Sequence, residues 1–127
     1  MASPSIHKVR AFEDSGISLM ARITGTDAAN IAQSDVSSIA YSVFDSNDYS
    51  TAVSTGALTV SNVVFNSLQT DARWTTDSTG YNFRWDMPAS ILTVGDRVYR
   101  VEITITPSSG EVYHVVFDVS TVPIYRS

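Results

Sequence analysis

Hydrophobic and polar positions alternate with a period of two along much of this chain. From Val98 the sequence runs Val-Tyr-Arg-Val-Glu-Ile-Thr-Ile-Thr. Tyr99, Val101, Ile103 and Ile105 fall on one face, and Arg100, Glu102, Thr104 and Thr106 on the other. That pattern predicts a strand with one buried and one wet face. Pro107-Ser108-Ser109-Gly110 supplies a turn. Glu111 to Val119 then alternates again, with Tyr113, Val115, Phe117 and Val119 inward and His114 and Asp118 outward. Two such runs joined by a short loop predict a β-hairpin.

The same period marks shorter strands upstream. Ile17, Leu19, Ala21 and Ile23 share a face, and Gly25-Thr26-Asp27 ends that run. Ile39, Tyr41 and Val43 form another, closed by Asp45-Ser46-Asn47-Asp48. Leu58 and Val60 mark a short strand, and Tyr81, Phe83 and Trp85 alternate with Asn82, Arg84 and Asp86. Thr121 to Tyr125 carries Pro123, which suits an edge strand or an extended tail. Ser61 to Leu68 predicts a helical turn, capped by Ser61, with Val64, Phe65 and Leu68 on one face. Pro88 to Leu92 predicts a second short turn. About seven short strands, with at most one or two helical turns, make an all-β antiparallel sandwich. No βαβ spacing supports a parallel sheet. Residues 1–16 read as an N-terminal arm, 17–120 as the sandwich and 121–127 as the C-terminal edge strand or tail.

Composition narrows the function classes. A chain of 127 residues is expected to form one domain and to bury roughly two-thirds of its unfolded surface. With no Cys, there is no disulfide framework, thiolate nucleophile or Cys-based zinc site. Eight Lys plus Arg against thirteen acidic residues give a net charge of -5. That balance opposes binding to nucleic acid or to an anionic membrane, both of which need a basic face. The opening Met-Ala-Ser-Pro-Ser-Ile-His-Lys lacks the apolar run of a signal peptide. The expectation is synthesis in a cytoplasm without export.

The segment Leu92-Thr93-Val94-Gly95-Asp96-Arg97-Val98-Tyr99-Arg100-Val101 resembles the corner of fibronectin type III and immunoglobulin-like domains. There a Leu, a Gly and then Tyr-x-Val enter a late strand, and the Tyr hydroxyl bonds back to the corner backbone. Tyr99 is the matching residue. Without a Cys pair, an antibody-type domain is excluded. The order of elements from Tyr81 to Val119 is aromatic strand, Asp-x-Pro, turn, Gly, Tyr-x-Val-Glu strand, Ser-x-Gly hairpin and Phe-x-Val strand. That order resembles small immunoglobulin-like proteins of tailed-phage virions, including the N-terminal domain of phage baseplate upper proteins. The resemblance covers about 80 residues, with Ile39 to Asp45 as an earlier strand. It implies an immunoglobulin-like β-sandwich and a virion structural role, and it carries over no catalytic residue.

The chemistry-bearing residues are sparse. His7 and His114 are the two groups that titrate near neutrality by default. His114 points out of a strand, and Asp118 lies too far along the same strand for a direct His–Asp bond. No nucleophile-elbow, zinc-protease or phosphate-loop pattern is present. Asp45-Ser46-Asn47-Asp48 opens like a calcium loop. Tyr49 and Ser50 then stand where the Gly turn is required, and Gly56 where the bidentate Glu should be, so it reads as an Asx-rich turn. Glu102 and Asp118 face outward on neighbouring strands, within reach of Arg100, and read as a solubilising face. No catalytic, cofactor-binding or metal-ligating residues are assigned, and no cofactor is expected.

What remains is contact chemistry. Ile6, Val9 and Phe12 make the arm sticky. Trp74 beside Arg73 lies in a run without alternation, and Tyr125-Arg126 close the chain. Trp and Arg are enriched at interface hot spots. Trp85, on an alternating apolar face, reads as core. The expected function is a non-enzymatic assembly protein of a phage or prophage virion, in a neck, tail, baseplate or capsid-decoration layer. Its partners would be other virion proteins or copies of itself in a ring. The alternative is a carbohydrate-binding module using Trp74, Tyr49 and Tyr81.

Overall fold

The computed structural model describes residues 6–24, 29–72, 74 and 78–124. Eight strands form among them: β1 (Ile6–Phe12), β2 (Ile17–Ala21), β3 (Val36–Asp45), β4 (Ser54–Leu58), β5 (Val64–Gln69), β6 (Tyr81–Met87), β7 (Val98–Pro107) and β8 (Tyr113–Val122). One sheet has the order β1-β8-β7-β3-β4 and the other β2-β6-β5. Leaving out β1, every pair of neighbouring strands is antiparallel, and the two sheets make an all-β sandwich. The β7–β8 hairpin sits at the heart of the larger sheet, with Val101 opposite Phe117 and Ile103 opposite Val115. β3 flanks β7 on its other side, antiparallel.

The core lies between the two sheets. The larger sheet contributes Ile39, Val43, Tyr99, Val101, Ile103, Ile105, Val115, Phe117 and Val119, all buried. The smaller contributes Leu19, Ala21, Val64, Phe83, Trp85 and Met87. Burying one large apolar side chain is worth about 1.5–3 kcal/mol. Aromatic rings cross the interface, with Phe83 stacked on Phe117 at 6.5 Å and Trp85 against Tyr41 at 4.4 Å. The corner expected at Tyr99 is made: its buried hydroxyl accepts the Val94 N–H at 3.2 Å.

Three expectations are corrected. The segment read as an arm contains β1, whose seven residues run parallel to β8 from Ile6↔Val116 to Phe12↔Val122. Helix in the predicted turn is confined to α1 (Val60–Val63), and Thr59 rather than Ser61 occupies the cap position, with no side-chain capping bond. Val64, Phe65 and Leu68 belong to β5, because Val64 pairs with Phe83 in the sheet. At the other end, β8 continues through Thr121 and Val122, so the hairpin absorbs the start of the expected tail. The predicted stop at Gly25-Thr26-Asp27 lies outside the described residues.

Asn82 is the one polar residue of the small sheet at only 1% exposure. Its Oδ1 accepts the Ile23 N–H at 2.7 Å, and its Nδ2 donates to the carbonyls of Ile23 at 2.9 Å and Ile31 at 3.2 Å. Ile31 N–H also donates to Ile23 O at 3.1 Å. One amide thus satisfies both stems of the loop between β2 and β3, where unpaired backbone groups would be costly. Asn82→Ala is expected to destabilise the fold by about 2–4 kcal/mol, because it strands a buried donor and leaves a void. Urea unfolding at unchanged slope measures this; a loss below about 1 kcal/mol would show that water replaces the amide.

Candidate functional site

Three of the contact candidates, Ile6, Val9 and Phe12, lie on one edge strand of the larger sheet. β1 is an edge strand, and its side chains alternate between half-buried and exposed. His7, Val9 and Ala11 turn toward the core, where Val9 and Ala11 pack against it. Ile6, Lys8, Arg10 and Phe12 turn outward, with Ile6 43% and Phe12 54% exposed. Val9 therefore supports the strand from below, whereas Ile6 and Phe12 are available for contact. Lys8 lies opposite Asp118 in the β1–β8 register, and on the other side Asp118 accepts from Arg100 Nε of β7 at 3.2 Å. The outer face thus carries Lys8, Asp118 and Arg100 as a row of alternating charge. Such partly exposed pairs contribute at most about 1 kcal/mol each.

The corner beyond Phe12 is built by side chains bonding to backbone. Glu13 N–H donates to Val122 O at 3.0 Å, and Asp14 N–H to Leu92 O at 2.7 Å. The Glu13 carboxylate accepts from Gly95 N–H at 3.0 Å and Ile124 N–H at 2.8 Å. Thr121, buried on β8, donates to Val94 O at 2.7 Å and accepts the Arg97 N–H at 3.1 Å. A Cβ at Gly95 would stand 2.6 Å from Pro123 Cα, so the two segments touch backbone to backbone. Exposed Phe12, Val94 and Ile124 each adjoin a residue of this network. Sequence reasoning missed Glu13 and Thr121. Glu-Asp-Ser-Gly reads as an ordinary turn, and nothing local signals that the carboxylate reaches segments 82 and 111 residues away.

The remaining candidates separate. Arg73, Tyr125 and Arg126 lie outside the described residues. Trp74 is half-buried, its ring 5.6 Å from that of Tyr81. Tyr81 is buried, and its hydroxyl donates to Asp71 at 2.6 Å. Exposed Tyr49 follows β3 at the opposite end of the sandwich, where it meets Phe44 edge-on. These three aromatics therefore share no platform. Asp45 and Asp48 spend their oxygens on local turns, accepting from Asn47 N–H and Ser50 N–H, and Asp45 also binds Arg97 at 2.9 Å. Among the described residues, no group of three His, Asp or Glu side chains could hold a metal ion. His114 Nδ1 contacts Thr104 Oγ1 at 3.2 Å on the exposed face.

At the other end, an open pocket of about 440 Å³ lies between the loop before β3 and the β7–β8 turn, with Ser34, Asp35, Ser108, Glu111 and Tyr113 on its walls. Its two loops are stitched by Ser108 N–H to Asp35 O at 2.9 Å and Ser108 Oγ to Ser34 O at 3.1 Å. Burial, and then the charge of Asp35, push the Tyr113 phenol up, so it stays a neutral hydroxyl. No protein-family model, curated protein or solved structure matches this chain.

His7 gives the edge a pH dependence. Its ring lies 5.1 Å from Phe117, and burial lowers its pKa from 6.5. As pH falls through that ordinary value, the unfolded chain takes the proton first, so stability falls with it until the folded pKa is reached. The expected result is a loss of stability between pH 7 and pH 5 that is smaller in His7→Gln. Urea midpoints across that window decide it, and equal slopes for the two proteins would remove His7 from the account.

Proposed function

We propose that this chain is a non-enzymatic structural module of a phage or prophage virion, working through protein contacts of a rigid sandwich. The observation that carries the reading is β1, a seven-residue edge strand with Ile6 and Phe12 exposed on its outer side. An edge strand offers unpaired backbone groups to a neighbour, and apolar side chains beside it add area to the contact. The order of elements from Tyr81 to Val119 supports the same reading through its resemblance to virion proteins. Partners are other virion proteins or further copies of this chain, held in a neck, tail, baseplate or capsid-decoration layer.

Particles purified from the organism that carries this sequence, analysed by quantitative mass spectrometry, test the proposal. The expected result is this chain in the particle fraction at a fixed ratio to the major structural proteins. Its confinement to the soluble fraction, with glycan binding lost on Trp74→Ala, would overturn the proposal in favour of a carbohydrate-binding module.

A further inference from the structure

We propose that β1 exchanges between two copies of this chain, each copy's residues 6–12 leaving their own β8 and pairing in the same parallel register with Val116–Val122 of the other. The proposal extends the assembly reading by naming a second copy as partner. Three observations carry it.

First, β1 is held by its ladder and by half-buried side chains only. None of its residues is buried, whereas β8, beneath it, alternates between buried and half-buried positions along nearly its whole length. Its inward face spends one of three positions on His7, whose burial disfavours the charged form. Removal of β1 leaves the backbone groups of Val116–Val122 open. The segment that fits them best is the one seen there, from the same chain or from an identical one.

Second, the link to β2 is short and strained. Only residues 13–16 join the two sheets here, and Asp14 adopts φ 55°. A non-glycine residue in the left-handed region relaxes when the link extends, and short strained hinges favour exchange. The Glu13 carboxylate, bound to Gly95 and Ile124 N–H groups, is the latch of the closed form. Once released, four residues span at most about 14 Å. The two β8 edges must then lie close together, which places exposed Phe12, Val94 and Ile124 between the copies.

Third, β1 is poorly suited to the simpler route of adding its free edge to that of another copy. In an antiparallel pair centred on Val9, Lys8 of each copy faces Arg10 of the other. Like charges directly opposite are destabilising, and basic residues on edge strands are a recognised guard against such pairing. Exchange avoids the clash, because each β1 meets Asp118 and Ser120 as it does within one chain.

The chain has no Cys, so two single variants report on exchange directly. Arg10 and Ser120 are partners in the β1–β8 register. Arg10→Cys and Ser120→Cys proteins are mixed at high concentration, incubated and oxidised gently, and the disulfides are mapped by mass spectrometry. The expected result is a 10–120 disulfide between chains, well above its statistical share against 10–10 and 120–120 links, and raised several-fold by Glu13→Gln in both proteins. A statistical distribution, or no interchain 10–120 link at any concentration, overturns the proposal. Either failure leaves the virion reading to its own test on particles. Circular dichroism of each variant verifies the fold, and a second pair, Ile6→Cys with Val116→Cys, replaces any that misfolds.

Discussion

Phe117 is fully buried on β8, and its ring touches two other parts of the fold. It stacks on Phe83 of the opposite sheet at 6.5 Å and meets His7 of β1 at 5.1 Å. On its own sheet it lies opposite Val101 of β7 and beside His7 in register. The sandwich exists because rings such as this one close the gap between two half-wet sheets. The contact with Phe83 is dry and apolar. The contact with His7 is made by a polar ring at the margin of the core. The same side chain therefore anchors the centre of the fold firmly and its edge less firmly.

Polar chemistry finishes what packing begins. At one end Asn82 closes the loop stems at Ile23 and Ile31. At the other, Tyr99, Thr121 and Glu13 bond to the backbone of the segment around Val94 and Gly95. Each supplies partners to backbone groups that no sheet ladder reaches, as burial demands. Both ends of the sandwich are thereby fixed, whereas the edge strand β1 has no buried residue and packs only Val9 and Ala11 against the core. The functional reading and the exchange of β1 both draw on that asymmetry.

The larger sheet was legible because its strands face water on one side and the core on the other. Tyr99 to Ile105 and Glu111 to Val119 show alternation, and every predicted inward residue of those runs is buried except Tyr113, which is half-buried. β1 was hidden because Ile-His-Lys-Val-Arg-Ala-Phe mixes apolar and polar residues on both faces: His7 points in, while Ile6 and Phe12 point out. β5 reads as helix because Val64, Phe65 and Leu68 also fit a helical face, and the register shift between Val64 and Gln69 breaks its period. Alternation sets Asn82 on the face opposite Phe83, yet both are buried. The burial of Asn82 comes from loop stems more than fifty residues away, which local pattern cannot report. Glu13 and Thr121 escaped notice for the same reason, since their partners are distant in sequence. Ile6 and Phe12 read as contact candidates from their apolar character alone, and the strand that presents them does not.

The central claim is that β1 separates from β8 while the hairpin beneath it stays folded. Native-state hydrogen exchange of the intact chain tests it most directly, since amide protection reports the free energy of each opening. The account predicts that amides of Ile6–Phe12, with those of β8 that bond to them, exchange through an opening well below global unfolding, while β7 amides exchange only with the whole fold. Protection of β1 equal to that of β7 would contradict it, and would make β1 an integral part of the core sheet.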